Sequence, residues 1–199
     1  MKNWEDYVLE NGVLKNKLGI TDHDKLHILE ETIVTEKLAL LIIDSYVGKF
    51  DSKHLRAIHK FLFEEIYDFA GSYREVDIFK KYTQFENPEL ISEHLDNLLN
   101  RVNEQAKLIN HDNQFSVARF LGELYYELIM IHPFREGNGR AIREFIREFV
   151  TCKFPEYTLE YSKIDKNNFL LGITEINYYP LLLAYEFNNG LTKVNAKSK

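Results

Sequence analysis

The chain has 199 residues, enough for one domain with a substantial core, and its 45% hydrophobic and 14% aromatic content excludes a disordered chain. Nine glycines and four prolines leave little material for an all-β fold with many turns. A net charge of −6 argues against general nucleic-acid binding, while leaving room for a local basic pocket.

Residues 1–20 read as an irregular lead-in, with turn signals at Asn11-Gly12 and Gly19. Thr21-Asp22 caps a helix to about Ser45, with Leu26, Leu29, Ile33, Leu40 and Leu41 as its apolar positions. The stretch Gly48 to Asp51 breaks the chain. Asp51 or Ser52 then caps a helix carrying Leu55, Ile58, Leu62, Phe63 and Ile66, which Gly71 stops. From Tyr73 to Phe85 an imperfect alternation of β formers predicts a short hairpin, the only β element. Asn87-Pro88 starts a helix through about Leu108, with Leu90, Ile91, Leu95, Leu98, Leu99 and Val102 on its apolar side.

After a loop at His111 to Gln114, residues Phe115, Phe120, Leu121, Leu124, Tyr125, Leu128 and Ile129 recur at helical spacing. Beyond a Gly-rich run, Ile142, Phe145, Ile146, Phe149 and Val150 do the same until Phe154-Pro155. One or two further helices, broken at Pro180, lie between Lys163 and Tyr185, and the Lys-rich residues 192–199 read as a disordered tail. The expected fold is mainly α: a single domain over residues 1–199, a compact helical bundle with one short β-hairpin over a central helix–loop–helix. Cys152, the single cysteine, excludes an internal disulfide, fits a reducing cytoplasm, and is expected to be buried. The polar start is no signal peptide and no apolar run approaches a membrane span, so a cytoplasmic chain without membrane contact is expected.

Chemistry concentrates in residues 132–143, which read His132, Pro133, Phe134, Arg135, Glu136, Gly137, Asn138, Gly139, Arg140, Ala141, Ile142 and Arg143. A Gly-Asn-Gly turn opening a helix places free backbone N–H groups at a helix N-terminus, a geometry that binds phosphate. Arg140 and Arg143, three residues apart, share one face of the first turns and suit a polyphosphate. Glu136 borders the turn, where a phosphate-bound divalent cation would meet it. His132 is the side chain here able to take a proton at neutral pH. Elsewhere, His54 and His59 read as surface or core-edge residues. His23 and His27 have metal-ligand spacing but lack a third ligand. No Walker A run, His-Glu-x-x-His pair or Gly-x-Ser-x-Gly elbow is present.

The same run resembles the signature of Fic domains, H-P-F-x-[D/E]-G-N-G-R-x-x-R, and every defined position is matched. Leu62 to Ile78 is similar to the segment preceding the Fic active-site flap, and Asn16 to Ile20 to the lead-in of compact bacterial members, so the resemblance covers roughly residues 16 to 150. It implies transfer of the AMP moiety of ATP to a hydroxyl of a target protein, with a divalent cation, Mg²⁺ or Mn²⁺. It implies His132 as general base, Glu136 as metal ligand, and Gly137, Asn138 and Gly139 as anion hole. Arg140 and Arg143 would hold the leaving pyrophosphate end. Phe134 would anchor the loop. Asp77, Ile78, Phe79, Lys80, Lys81, Tyr82, Thr83, Gln84 and Phe85 would form the flap that docks the target main chain as an added strand. Gly139 favours nucleotidyl transfer, because a phosphorylating relative has Lys there.

Many Fic domains are silenced by a helix bearing [S/T]-x-x-x-E-[G/N], whose Glu pairs with the second motif Arg. Thr32 to Glu36 has the spacing, but Lys37 replaces Gly or Asn. Glu186 also fits an ordinary helix position. The resemblance therefore implies a small separate antitoxin that supplies the Glu, docked against the helix of residues 21–45. Two alternatives stay open: another Fic chemistry, such as transfer of a different nucleotide or AMP removal, and a helical module that only senses ATP. Secretion as an effector stays open too.

Overall fold

The computed structural model describes residues 3–45, 48–80, 83–172 and 179–194. The lead-in makes one 3₁₀ turn at Trp4–Asp6 and an isolated bridge between Val8 and Leu14, and it buries Tyr7 and Val13. Helix α1 spans His23–Ile43, and the Asp22 carboxylate caps it by accepting from the Lys25 N–H at 2.9 Å. Its buried positions are Leu26, Glu30, Val34 and Leu41, whereas Leu29 and Leu40, expected inside, are exposed. Helix α2, Ser52–Phe63, is capped by Asp51 and ends well before Gly71; turns fill the interval.

The expected hairpin is shorter than its sequence alternation. Strands β1 (Phe79–Lys80) and β2 (Thr83–Gln84) pair antiparallel, Phe79 opposite Gln84. Lys81 and Tyr82 of the expected flap lie outside the described residues. After a 3₁₀ turn at Pro88–Leu90, helix α3 (Ile91–Ala106) buries Ile91, Leu95, Leu98, Leu99 and Val102 along one stripe.

Helix α4, Gln114–Ile131, is the centre of the molecule. It packs against α3, α5 (Asn138–Lys153) and α7 (Pro180–Gly190) and is apolar on most of its circumference. At Gly122 a Cβ would stand 3.2 Å from the Ala184 backbone N, so a glycine lets α4 and α7 approach at backbone distance. A short α6, Lys166–Leu171, seats Phe169 against Tyr125.

Three further expectations change. The hairpin is not the only β element, because β3 (Tyr157–Leu159) pairs antiparallel with β4 (Leu191–Lys193). The tail is correspondingly ordered through Val194, whose N–H donates to the Glu156 carbonyl at 2.8 Å; residues 195–199 lie outside the described residues. Burial of Tyr157, Leu159 and Leu191 holds this pair, but three residues per strand are too few to show a period. Finally, Cys152 is exposed in the last turn of α5, where Val150 and Phe154 close the core instead. Among the described residues no helix is long and apolar enough to cross a membrane.

Candidate active site

α4 ends at His132, which takes the left-handed conformation at φ 47° and ψ 60°. This folds the side chain back onto its own helix. The His132 N–H donates to the Leu128 carbonyl at 3.1 Å, and ring atom Nδ1 lies 3.2 Å from the Ile129 carbonyl. A carbonyl only accepts, so Nδ1 carries the proton of this contact, and in the neutral ring the acceptor is then Nε2. Phe85, just after β2, stacks on the imidazole with ring centres 3.9 Å apart and planes at 15°. Phe85 is therefore more than hairpin packing: it covers one face of the candidate base.

The loop after His132 is braced from within. Phe134 is fully buried. The Asn138 side chain closes a ring on its backbone, accepting from the Phe134 N–H at 2.8 Å and donating to the Phe134 carbonyl at 2.7 Å. That use of the amide differs from direct anion contact, and it leaves only the Asn138 main chain for the anion hole. Gly137 sits at φ +81° directly before α5, which has no side-chain cap. By helix geometry the N–H groups of Asn138, Gly139 and Arg140 have no carbonyl within the helix to meet. The Gly137 N–H is held by the Glu136 carboxylate at 2.8 Å.

The start of α5 opens on a cavity of about 990 Å³ between α1 and the loop, lined among others by Glu30, Tyr67, Glu136, Gly139, Arg140 and Arg143; His132 is not in its lining. Arg140 is not free in it. Its Nη2 meets Glu30 at 2.5 Å and Glu136 at 3.5 Å, and the Tyr67 hydroxyl donates to the other Glu30 oxygen. Burial, reinforced by Glu30, pushes the Tyr67 phenol far above its ordinary pKa, so it stays a donor. Glu30 is only 6% exposed, and sequence reasoning missed it. The signal was a carboxylate four residues from both Leu26 and Val34 on the inward stripe of α1, where an apolar residue belongs. Arg143 lies near enough to Tyr125 that its charge opposes the rise which burial imposes on that phenol's pKa. Glu36, the candidate internal inhibitor, is exposed on α1. Glu186 is a structural residue, accepting from the Asp165 N–H at 2.9 Å and from Asn168 at 3.0 Å.

Two histidines expected at the surface or the core edge are buried. His54 Nε2 pairs with Glu148 at 2.8 Å, while its Nδ1 accepts the Phe50 N–H at 3.3 Å. His59 stacks on Phe134 at 3.8 Å and ties the Gly71 turn to the loop: Nδ1 accepts the Gly71 N–H at 2.8 Å, and Nε2–H donates to the Glu136 carbonyl at 2.9 Å. The bond at Nδ1 needs the neutral ring. Burial, with Arg140 adding to it, lowers the His59 pKa to about 4. The unfolded chain takes this proton near pH 6.5 and the folded chain does not. Stability is therefore full above about pH 6.5 and falls as the pH drops toward 4, by about 3 kcal/mol for this group. Thermal melts at pH 7 and pH 5 should show a smaller drop in His59→Gln than in wild type; an equal drop would mean that His59 does not carry the dependence.

Arg135, to which the sequence assigned no role, is 9% exposed and stacks over Trp4 at 4.0 Å, pinning the lead-in to the loop. Among the described residues no cluster of three or more metal-ligating side chains exists. Glu136 offers a half-exposed carboxylate to the cavity beside the start of α5, which fits a cation held mainly by phosphate and water and does not fit an all-protein cage.

Comparison with known proteins places this geometry. The Fic/DOC family model matches residues 49–150. Protein adenylyltransferase VbhT of Bartonella schoenbuchensis is 33% identical over 173 residues, 85% of this chain and 35% of VbhT, so the chain spans about a third of that relative. The "probable protein adenylyltransferase" y4lH of Sinorhizobium fredii is 28% identical over 79% of this chain and 80% of its own. The fold matches the N-terminal Fic domain of a VirB-translocated Bep effector of Bartonella quintana, with TM-score 0.86 and 24% identity over 96% of this chain and 97% of that one. BepC of Bartonella tribocorum, solved with bound AMPPNP, matches with TM-score 0.83 and 23% identity over 96% and 98%. With the full motif seated at the join of α4 and α5, the chain belongs to the Fic/DOC family.

Proposed function

We propose that this chain is a protein adenylyltransferase, moving AMP from ATP to a Ser, Thr or Tyr hydroxyl of a target protein. The observation that carries the reading is the succession, within one helix–loop–helix, of His132 with Nδ1 turned to the Ile129 carbonyl and an uncapped helix N-terminus whose two arginines line one cavity. The names of VbhT and y4lH support it.

In this reading the N–H groups at the start of α5 hold the phosphate to be transferred, and Arg140 and Arg143 hold the distal phosphates. The target hydroxyl attacks the α-phosphorus. Its proton passes to His132 Nε2, the bond from that phosphorus to the bridging oxygen breaks, and pyrophosphate leaves. Arg140 must exchange Glu30 for phosphate at least in part. Mg²⁺ or Mn²⁺, when bound at Glu136 and the phosphates, supplies charge neutralisation. The target main chain docks along the edge of β1–β2. A small antitoxin docked against α1 and carrying a Glu toward Arg143 is the matching regulator, and the chain then acts as a toxin-like regulator in the cytoplasm.

The test is incubation of the chain with cell lysate and ATP labelled at either the α- or the γ-phosphate. Adenylyl transfer labels protein from the α position only; label from the γ position would make the chemistry phosphorylation, and none from either would remove the activity. We expect an absolute divalent-cation requirement, with Glu136→Ala losing about 10²-fold or more at saturating Mg²⁺. Undiminished labelling in chelator would remove Glu136 from its role.

A further inference from the structure

Arg74 lies fully buried in the segment that leads into the hairpin. Among the described residues its guanidinium meets backbone carbonyls only. Nε donates to His132 at 2.7 Å, Nη1 to Val76 at 2.8 Å, and Nη2 to Glu86 and, at 3.3 Å, to Ile131. Its own N–H donates to the Pro133 carbonyl at 2.9 Å, and the Glu86 N–H reaches Met130 at 3.2 Å.

These bonds account for the end of α4. The last four helix carbonyls, Leu128 to Ile131, are taken by the His132 N–H, the His132 ring, the Glu86 N–H and Arg74 in that order. A cation there also faces the negative end of the helix. Val76 and Glu86 flank the β1–β2 pair, so one planar group joins both hairpin roots to the residue on which Phe85 stacks. Lysine cannot reproduce this, because three tetrahedral protons do not reach four carbonyls spread around a plane.

We propose that Arg74 is a positioning residue: it clamps the two roots of the hairpin to the His132 backbone and so fixes the docking edge relative to the base. The mechanistic half rests on the adenylyltransferase reading; the clamp itself does not.

The test uses the full chain and two readouts. Hydrogen exchange reads the clamp. In wild type the amides of Arg74, Glu86 and His132 should open as one unit with a common denaturant dependence. In Arg74→Lys, exchange should rise at least about tenfold in peptides covering 85–87 and 131–134, with α5 and the β3–β4 pair unchanged. Separate opening in wild type, or an even rise across the variant, overturns the clamp, and the wild-type arm decides even if Arg74→Lys does not fold. Kinetics reads the role: Arg74→Lys should lower kcat about 10²-fold with ATP affinity within about threefold, as a displacement of reacting groups does. Local loosening with kcat within about twofold overturns the positioning role. A wild type without transferase activity would sink the adenylyltransferase reading and leave the exchange result standing.

Discussion

Replacing His132 with alanine is expected to lower adenylyl transfer by about 10³-fold or more, while ATP affinity stays within about tenfold. The asymmetry follows from where the side chain sits. His132 belongs to the end of α4, and the phosphate cradle belongs to the start of α5 and its loop. The cradle is held by bonds that do not pass through the imidazole: Asn138 to Phe134, Glu136 to Gly137, and His59 to Glu136. Truncation removes the proton acceptor and the contact to the Ile129 carbonyl, and leaves those bonds in place. A base on the incoming hydroxyl contributes only in the transition state, so kcat falls and nucleotide binding hardly changes. The measurement is a single-turnover rate beside an equilibrium titration with ATP. Transfer retained within tenfold of wild type would mean that another group takes the proton.

What the sequence showed of this site was its local part. The helix ahead of His132, the turn, Phe134 and the two arginines are contiguous, and their spacing specifies a helix–loop–helix with an anion-binding start. Caps were legible for the same reason: Asp22 and Asp51 each stand directly before an apolar repeat, whereas Asn113, which caps α4, reads as part of a loop. The residues that hold this unit in place come from far along the chain. Glu30 meets Arg140 across 110 positions, His59 meets Glu136 across 77, and Arg74 meets His132 across 58. Each is a polar residue at a buried position, and composition alone reads such residues as surface ones. The misassigned face of α1 has the same origin. Leu26 and Leu41 are buried as expected, but Leu29 and Leu40 fit a helical stripe as well as Glu30 and Val34 do, and Arg140 and Tyr67 meet Glu30 on the side that is buried.

Gly137→Ala is expected to damage the whole molecule, and Gly139→Lys only the chemistry. Gly137 holds φ +81°, a conformation that costs an L-residue about 1–2 kcal/mol, and an ideal Cβ there would lie 2.3 Å from the Phe63 Cζ. Phe63 cannot step aside. It is fully buried, with the His59 ring 4.8 Å away and Tyr67 stacked at 6.3 Å. Overpacking of that kind adds about 1–3 kcal/mol, so the melting temperature should fall by about 5–15 °C. The loop that presents the N–H groups would shift with it, and transfer should be lost even below the melting transition. Gly139 is in ordinary helical conformation, and a Cβ there meets only the tip of Arg143, Nη1 at 3.2 Å. A side chain at 139 costs the fold little, since glycine is the weaker helix former by about 1 kcal/mol. A lysine would instead put bulk and charge where the transferred phosphate is to lie. Mass spectrometry of a modified target should therefore find no AMP adduct with Gly139→Lys, at a melting temperature near that of wild type. An unchanged adduct would put the anion hole elsewhere, and a Gly137→Ala protein that melts with wild type would mean that the left-handed turn can relax without Phe63.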